Sequence, residues 1–141
     1  MEKCKNVQEM IRKAIKARGN SYAPYSQFHV GACLETKDGE LYTGCNIENA
    51  GYTATNCAER TAFFKAVSEG KKAVKRIAIV GGYDEKEPEF CPPCGVCLQV
   101  MMEFCNPSDF EIIVAKNEEE YEIYRLAELL PKGFGPGNLE A

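Results

Sequence analysis

Eight cysteines beside one histidine set the terms on which this chain can fold and work. The cysteines are Cys4, Cys33, Cys45, Cys57, Cys91, Cys94, Cys97 and Cys105; the histidine is His29. One histidine excludes multi-histidine metal sites and His-rich catalytic centres. A disulfide framework needs an oxidising compartment. The first sixteen residues carry Glu2, Lys3, Lys5, Glu9, Arg12, Lys13 and Lys16, which leaves no apolar core for a secretory signal. A cytoplasmic protein is therefore expected, and disulfides are a weaker reading than metal or redox chemistry.

Other partner classes fall away on simple grounds. The longest unbroken apolar runs are four residues, Ile77–Val80 and Ile112–Ala115, far short of the roughly twenty that span a bilayer. The net charge is −4 and no basic stripe exists, so neither a membrane nor a nucleic-acid backbone is expected as partner. With 141 residues, no repeat, no low-complexity tract and no linker, residues 1–141 are expected to form a single domain.

Hydrophobic periodicity gives the element order. Val7, Met10, Ile11, Ala14 and Ile15 mark an amphipathic helix over 3–18, ended by Gly19-Asn20. Phe28, Val30, Ala32 and Leu34 alternate as in a strand. Lys37-Asp38-Gly39-Glu40 forms a hairpin turn, and Leu41–Cys45 returns. Residues 46–56 look irregular. A helix over Cys57–Glu69 can be capped by Thr55 or Asn56, and the small residues Ala58, Ala62 and Ala66 on one face imply close packing. Arg76–Val80 is a buried strand that Gly81-Gly82 is expected to stop. A second helix over 94–104 follows Pro92-Pro93. Strands at Phe110–Ala115 and Tyr121–Tyr124 and a short helix at Leu126–Leu130 complete the chain. Strands alternating with helices give an α/β layered domain with a mixed sheet.

The chemistry concentrates at two helix starts. Cys94 and Cys97 lie one turn apart on one face, at a helix N-terminus that favours thiolate. Cys57 opens the other helix. These three can hold one soft divalent metal, most plausibly zinc, with the fourth position left for water. Glu59 beside such a water is a general base and acid. In an ideal helix Cys57 and Glu59 point about 200° apart, so both serve one site only if Cys57 stands at the non-helical start. Three thiolates overcharge a zinc ion and bind its water proton too tightly. Arg60, three residues from Cys57 and on its face, can offset that charge by donating to sulfur.

Other readings of the same residues stay open at this level. Cys91 or Cys105 could close a structural zinc site. Cys91-x-x-Cys94-x-x-Cys97 resembles an iron–sulfur run, and Cys91-Pro-Pro-Cys94 a redox dithiol. Cys4, Cys33, Cys45 and Cys105 read as small core hydrophobes, and His29 as a structural or surface residue of its strand.

Cys57-Ala58-Glu59 and Pro93-Cys94-Gly95-Val96-Cys97 match the zinc-deaminase signature. With Pro24-Tyr-Ser-Gln-Phe28-His-Val-Gly-Ala32, Gly44-Cys-Asn46-Ile-Glu48-Asn-Ala-Gly-Tyr52, Cys57-Ala-Glu-Arg-Thr-Ala62 and Leu129-Leu-Pro-Lys-Gly-Phe134-Gly-Pro136, nearly the whole chain resembles the small homotetrameric cytidine deaminases. The resemblance implies a three-layer α/β/α sandwich around a mixed five-stranded sheet. It implies hydrolysis of cytidine and 2′-deoxycytidine to uridine and 2′-deoxyuridine plus ammonia, in pyrimidine salvage, by zinc-activated water with Glu59 as proton shuttle. One zinc per chain is implied, on Cys57, Cys94 and Cys97, with Arg60 compensating the thiolates. Asn46 and Glu48 match the ribose-binding pair within a substrate segment running to Tyr52, and Phe28 the aromatic of the base pocket. Peptide groups near Ala58 and Cys94 are expected at the base edge. Phe134 matches an aromatic that reaches a neighbouring subunit's site, which implies a homotetramer with shared sites. Leu98 stands where the family usually has Arg, and a changed packing or subunit contact is expected there.

Alternatives within enzymology are a zinc deaminase for a nucleotide, a nucleobase or a nucleoside antibiotic; outside it, a non-catalytic zinc module. Asn46-Ile47-Glu48 favours a sugar, and the Glu48 charge disfavours a phosphate beside it.

Overall fold

The structure is a computed structural model that describes residues 2–84 and 86–139, with side chains from Val7 onward. The chain runs α1 (Glu2–Arg18), β1 (Phe28–Thr36), β2 (Leu41–Cys45), a 3₁₀ turn (Tyr52–Ala54), α2 (Ala58–Ser68), β3 (Val74–Tyr83), α3 (Gly95–Phe104), β4 (Glu111–Ala115), β5 (Tyr121–Arg125), α4 (Leu126–Leu129) and a final 3₁₀ turn (Pro136–Asn138). The Cys4 side chain lies outside the described residues.

One five-stranded sheet carries everything else, in the order β2-β1-β3-β4-β5. β3 and β4 are parallel, and the other neighbours are antiparallel. Alternation along each central strand feeds two cores. Ala32, Leu34, Ile77, Ile79, Ile112 and Val114 point to the face covered by α2, α3 and α4, where Ala58, Ala62, Phe63, Met101 and Leu126 meet them. Cys33, Ala78, Val80, Ile113 and Ala115 point the other way, to Val7, Met10, Ile11 and Ala14 of α1. The result is the expected α/β/α sandwich, stabilised chiefly by burial of these side chains, each Val, Leu, Ile, Phe or Met contributing about 1.5–3 kcal/mol.

Three local expectations are corrected. β3 does not stop at Gly81-Gly82 but runs through both to Tyr83. The glycines serve close approach instead: a Cβ at Gly81 would lie 2.9 Å from Cys91 Sγ, and one at Gly82 2.9 Å from Pro88 Cα. The bare backbone lets the β3–α3 segment fold back onto the strand. Neither Thr55 nor Asn56 caps α2. Cys57 itself is the N-cap, Thr55 Oγ1 accepts from the Asn49 N–H at 3.0 Å, and Asn56 Nδ2 donates to Thr61 Oγ1 at 3.0 Å. The third is that α4 ends at Leu129, one residue early.

Both long crossovers deliver a helix start to one place. β2 leads through residues 46–57 to α2, and β3 leads through 84–94 to α3. α2 packs hard on β2 because Gly44 offers no side chain: a Cβ there would sit 2.6 Å from both Ala58 O and Ala62 N. Among the described residues no helix is long and apolar enough to cross a membrane.

Candidate metal centre and active site

Cys57 and Cys94 are the N-caps of α2 and α3, both with extended backbone (φ −80°, ψ 157° and φ −74°, ψ 168°). Their carbonyls accept the first helical bonds, from Thr61 N and Leu98 N at 3.0 Å each, while neither side chain caps its helix. The sulfurs are thus free to face each other across the gap. The extended start also removes the geometric objection that an ideal helix would send Cys57 and Glu59 to opposite sides.

Cys57 Sγ lies 3.9 Å from Cys94 Sγ, and Cys94 Sγ 3.6 Å from Cys97 Sγ; all three fall within 4.8 Å of one another. A tetrahedral zinc with about 2.3 Å bonds sets its sulfurs about 3.8 Å apart. The separations fit such an ion and are far too long for a disulfide, about 2.05 Å. Among the described residues neither Cys91 nor Cys105 joins the group, which leaves the iron–sulfur and closed-zinc readings without a fourth sulfur. Cys91 packs against Gly81 and the core instead.

Arg60 Nη2 donates to Cys57 Sγ at 3.2 Å. The Cys57 thiol is pulled down to about 5, first by the hydrogen bond from Cys97 and, against the cost of burial, by the hydrogen bond and charge of Arg60. The Cys97 thiol moves up for the complementary reasons: its bond to Cys57, its burial and the surrounding negative charge. Glu59 is only 5% exposed. Burial pushes its carboxyl up to about 7, and the Cys57 charge adds to the rise. Thr61 braces this turn by donating to Cys45 O and Cys57 O at 3.0 and 3.1 Å.

Of the remaining predicted residues, Phe28, Asn46, Glu48 and Tyr52 belong to the segments 22–30 and 46–56, whereas Phe134 is tied to α3 through Gln99. Asn46 is buried and clamps β1: its Nδ2 donates to Phe28 O at 2.8 Å, and its Oδ1 accepts from Val30 N at 2.9 Å. Glu48 Oε1 accepts from the N–H groups of Tyr25 and Ser26 at 2.9 and 3.1 Å. The Ser26 hydroxyl donates to Glu48 Oε2. This last bond, then those amides, hold the Glu48 carboxyl below the usual range. Phe28 stacks edge-on against Tyr83, centroids 5.1 Å apart. Tyr52 is 85% exposed and Phe134 55%; the Phe134 carbonyl accepts from Gln99 Nε2 at 2.7 Å. Ala58 and Leu98 are buried in the core beneath the helices, so only the backbone of Ala58 can face a ligand.

Two further residues brace this end of the fold, and of these only Arg18 was not legible in advance. Arg18 donates from Nε to His29 O at 2.8 Å and from Nη2 to Gly82 O at 2.7 Å, and so holds the site end of β1 to β3. His29 lies between Ser21 Oγ, 2.6 Å from Nδ1, and Asp84 Oδ1, 3.1 Å from Nε2. The line-up has the members of a hydrolytic triad, but the N–H groups of Asn20, Ser21 and Tyr22 beside it are all bonded within the fold and offer no oxyanion hole. His29 is structural, as its sequence context suggests.

Comparison with known proteins agrees with this geometry. Residues 4–112 match the family described as the cytidine and deoxycytidylate deaminase zinc-binding region. The chain belongs to that deaminase family. The cytidine deaminase of Halalkalibacterium halodurans is 50% identical over 127 residues, 90% of this chain and 92% of that protein. That of Sporosarcina psychrophila is 46% identical over 134 residues, 95% of each. The crystal structure of the Burkholderia pseudomallei cytidine deaminase superposes with a TM-score of 0.80 at 41% identity, covering 89% of this chain and 97% of that one. Zinc is the cofactor on which deaminase membership and the three-sulfur donor set agree.

Proposed function

We propose that this chain hydrolyses cytidine and 2′-deoxycytidine to uridine and 2′-deoxyuridine, releasing ammonia. The observation that carries the reading is the three-sulfur group at two helix starts beside the buried carboxyl of Glu59. Cys57, Cys94 and Cys97 are the ligands, and zinc bound there supplies a polarised water. Glu59 is the proton carrier. It takes a proton from the attacking water, delivers it to the ring nitrogen of the pyrimidine, and assists the departing amino group. Burial favours the protonated form of this carboxyl, which suits a group that must hold a proton between taking it up and delivering it. Arg60 holds the Cys57 sulfur and offsets its charge.

Phe28 flanks the base, and the Ala58 backbone borders it. Asn46 and Glu48 address the sugar, within a segment that runs to Tyr52. Phe134, largely exposed in its own chain, completes the site of a neighbour in a cytoplasmic homotetramer. Residues 1–141 act as one deaminase domain with one zinc, in pyrimidine salvage. Ultraviolet difference spectra on adding cytidine, with ammonia and zinc measured on the same sample, test the activity. Zinc-loaded protein that releases no ammonia would refute it. Cytidine should exceed its monophosphate in kcat/KM by about thirtyfold or more, because a phosphate would meet the Glu48 carboxylate; equal efficiency points to a nucleotide deaminase.

A further inference from the structure

The loop over residues 22–28 is stitched to the segment 46–48 more tightly than a surface loop requires. Tyr22 N donates to Asn46 O at 3.0 Å, and Glu48 N to Tyr22 O at 2.8 Å. Gln27 takes a left-handed backbone (φ 62°), a conformation that side-chain-bearing residues seldom adopt. It is held there by Gln27 N to Ala23 O and Gln27 Nε2 to Pro24 O, both 3.0 Å. The consequence is a particular placement of Ser26. Its hydroxyl hydrogen goes to Glu48 Oε2, and its oxygen accepts the N–H of Phe28 at 3.0 Å. Phe28 is therefore gripped at both peptide groups, by Ser26 on its N–H and by Asn46 on its C=O. Glu48 Oε1 already has two amide donors, so the orientation of Oε2 depends on Ser26.

We propose that Ser26 is a positioning residue for sugar specificity: its one hydroxyl locks the carboxylate of Glu48 to the backbone of Phe28 and so fixes the sugar-binding group relative to the base-flanking ring. The proposal rests on the reading of Phe28 and Glu48 given above. Without the hydroxyl, Glu48 keeps its Oε1 amides but Oε2 is free to swing, and a substrate hydroxyl must then order it on binding. The loss falls on ground-state recognition of the sugar, not on proton transfer at Glu59. Ser26, Glu48 and Tyr52 line one surface recess, together with Tyr25, Asn49 and Thr55, so the carboxylate that Ser26 aims is open to a ligand.

The test uses zinc-loaded full-length protein and two substrates, cytidine and 2′,3′-dideoxycytidine, which lacks both ring hydroxyls. Ser26→Ala should lower the preference for cytidine, as the ratio of kcat/KM values, by about tenfold. The change should come through KM, with kcat on cytidine within about threefold. Ser26→Thr should restore the preference, and Ser26→Val, nearly the same shape without the hydroxyl, should not. In a Glu48→Gln background Ser26→Ala should change the ratio by less than about twofold, since the group it positions is altered. Equal behaviour of the Thr and Val variants overturns the proposal, as does an equal loss on both substrates in Ser26→Ala. So does an undiminished Ser26→Ala effect in the Glu48→Gln background. If Glu48→Gln alone leaves the ratio unchanged, the sugar role of Glu48 fails first, and the single variant shows it.

Discussion

Gly44→Ala is the substitution that most directly probes how the fold holds the site. Gly44 lies in β2 opposite Ala32, and a Cβ there would stand 2.6 Å from Ala58 O and 2.6 Å from Ala62 N. Both are backbone atoms in the first turns of α2, so no rotamer change relieves the contact. Ordinary packing separation is about 3.5 Å, so the helix must retreat by roughly 0.9 Å or the strand must bend. Overpacking of this kind costs about 1–3 kcal/mol. The rigid partners place Gly44→Ala near the top of that range, a fall in Tm of roughly 10 °C for a chain this long. The same retreat carries Cys57 with it. The Cys57–Cys94 sulfur separation of 3.9 Å fits one zinc ion as it stands, and metal sites tolerate only about ±0.2 Å in ligand distance. Zinc affinity should fall by about 10–100-fold. Thermal unfolding in excess zinc reads the first effect, and competition against a calibrated chelator reads the second. Gly137→Ala is the control, since no atom lies within 4 Å of its added Cβ. A Gly44→Ala protein with unchanged Tm and zinc affinity would refute the view that close strand–helix approach sets the sulfur geometry.

Glu59→Gln should keep its zinc yet lose about 10⁴-fold in kcat, the upper end for a proton-transfer group that serves several steps; zinc content and turnover on one sample check it. In metal-free protein Glu59 favours the folded state fully only below about pH 4.5, and that stability is lost as pH rises through about 7. Metal-free Glu59→Gln should therefore gain on metal-free wild type across that window, by up to about 3 kcal/mol in chemical denaturation, and a gap independent of pH would count against the buried carboxyl. Arg60→Ala removes the donor 3.2 Å from Cys57 Sγ; the pH–rate profile should move to higher pH with lower activity near neutrality, and an unmoved profile would make Arg60 a bystander. Cys97→Ala should abolish zinc binding and activity together, whereas Cys91→Ser should retain both, as metal analysis and turnover will show.

What the sequence made legible, and what it hid, divides by range. The hairpin, the alternation of β1 and the helix starts at residues 57 and 94 are local patterns, and the two cores follow once each strand's alternation is assigned a face. Metal ligation was legible for the same reason, since Cys94-x-x-Cys97 lies within one turn and Cys57 sits at another helix start. Cross-strand information was not. Arg76 reads as part of a buried strand, but its partner was not legible: it is 2% exposed and bonds Glu35 through Nε at 2.6 Å. Only the β1–β3 register places those two opposite each other. Gly81-Gly82 looked like a stop because a glycine pair breaks strands in isolation; here it permits Cys91 and Pro88 to lie against the backbone. Thr55 and Asn56 looked like caps because their side chains suit that role. Bonds to Asn49 and Thr61 claim them instead, and the cap position falls to a cysteine.

That displacement explains how site and fold are linked. A Ser, Asp or Asn N-cap stabilises a helix by about 1 kcal/mol, and α2 and α3 both forgo it, with Cys57 and Cys94 making no cap hydrogen bond. A cap side chain bends back onto its own helix, whereas these sulfurs reach outward to one another. The unused amide ends of both helices still present positive potential at the sulfurs, and Arg60 adds a full charge from the first turn of α2. The stability each helix gives up is local, but the electrostatic return is shared by three sulfurs and falls where thiolate must persist near neutral pH. Glu59, two residues on and already inside the helix, receives the opposite treatment: it is buried, and its carboxyl rises. One turn of helix thus makes one group a better anion and its neighbour a better proton acceptor, because the first stands at the non-helical start and the second is buried beneath it.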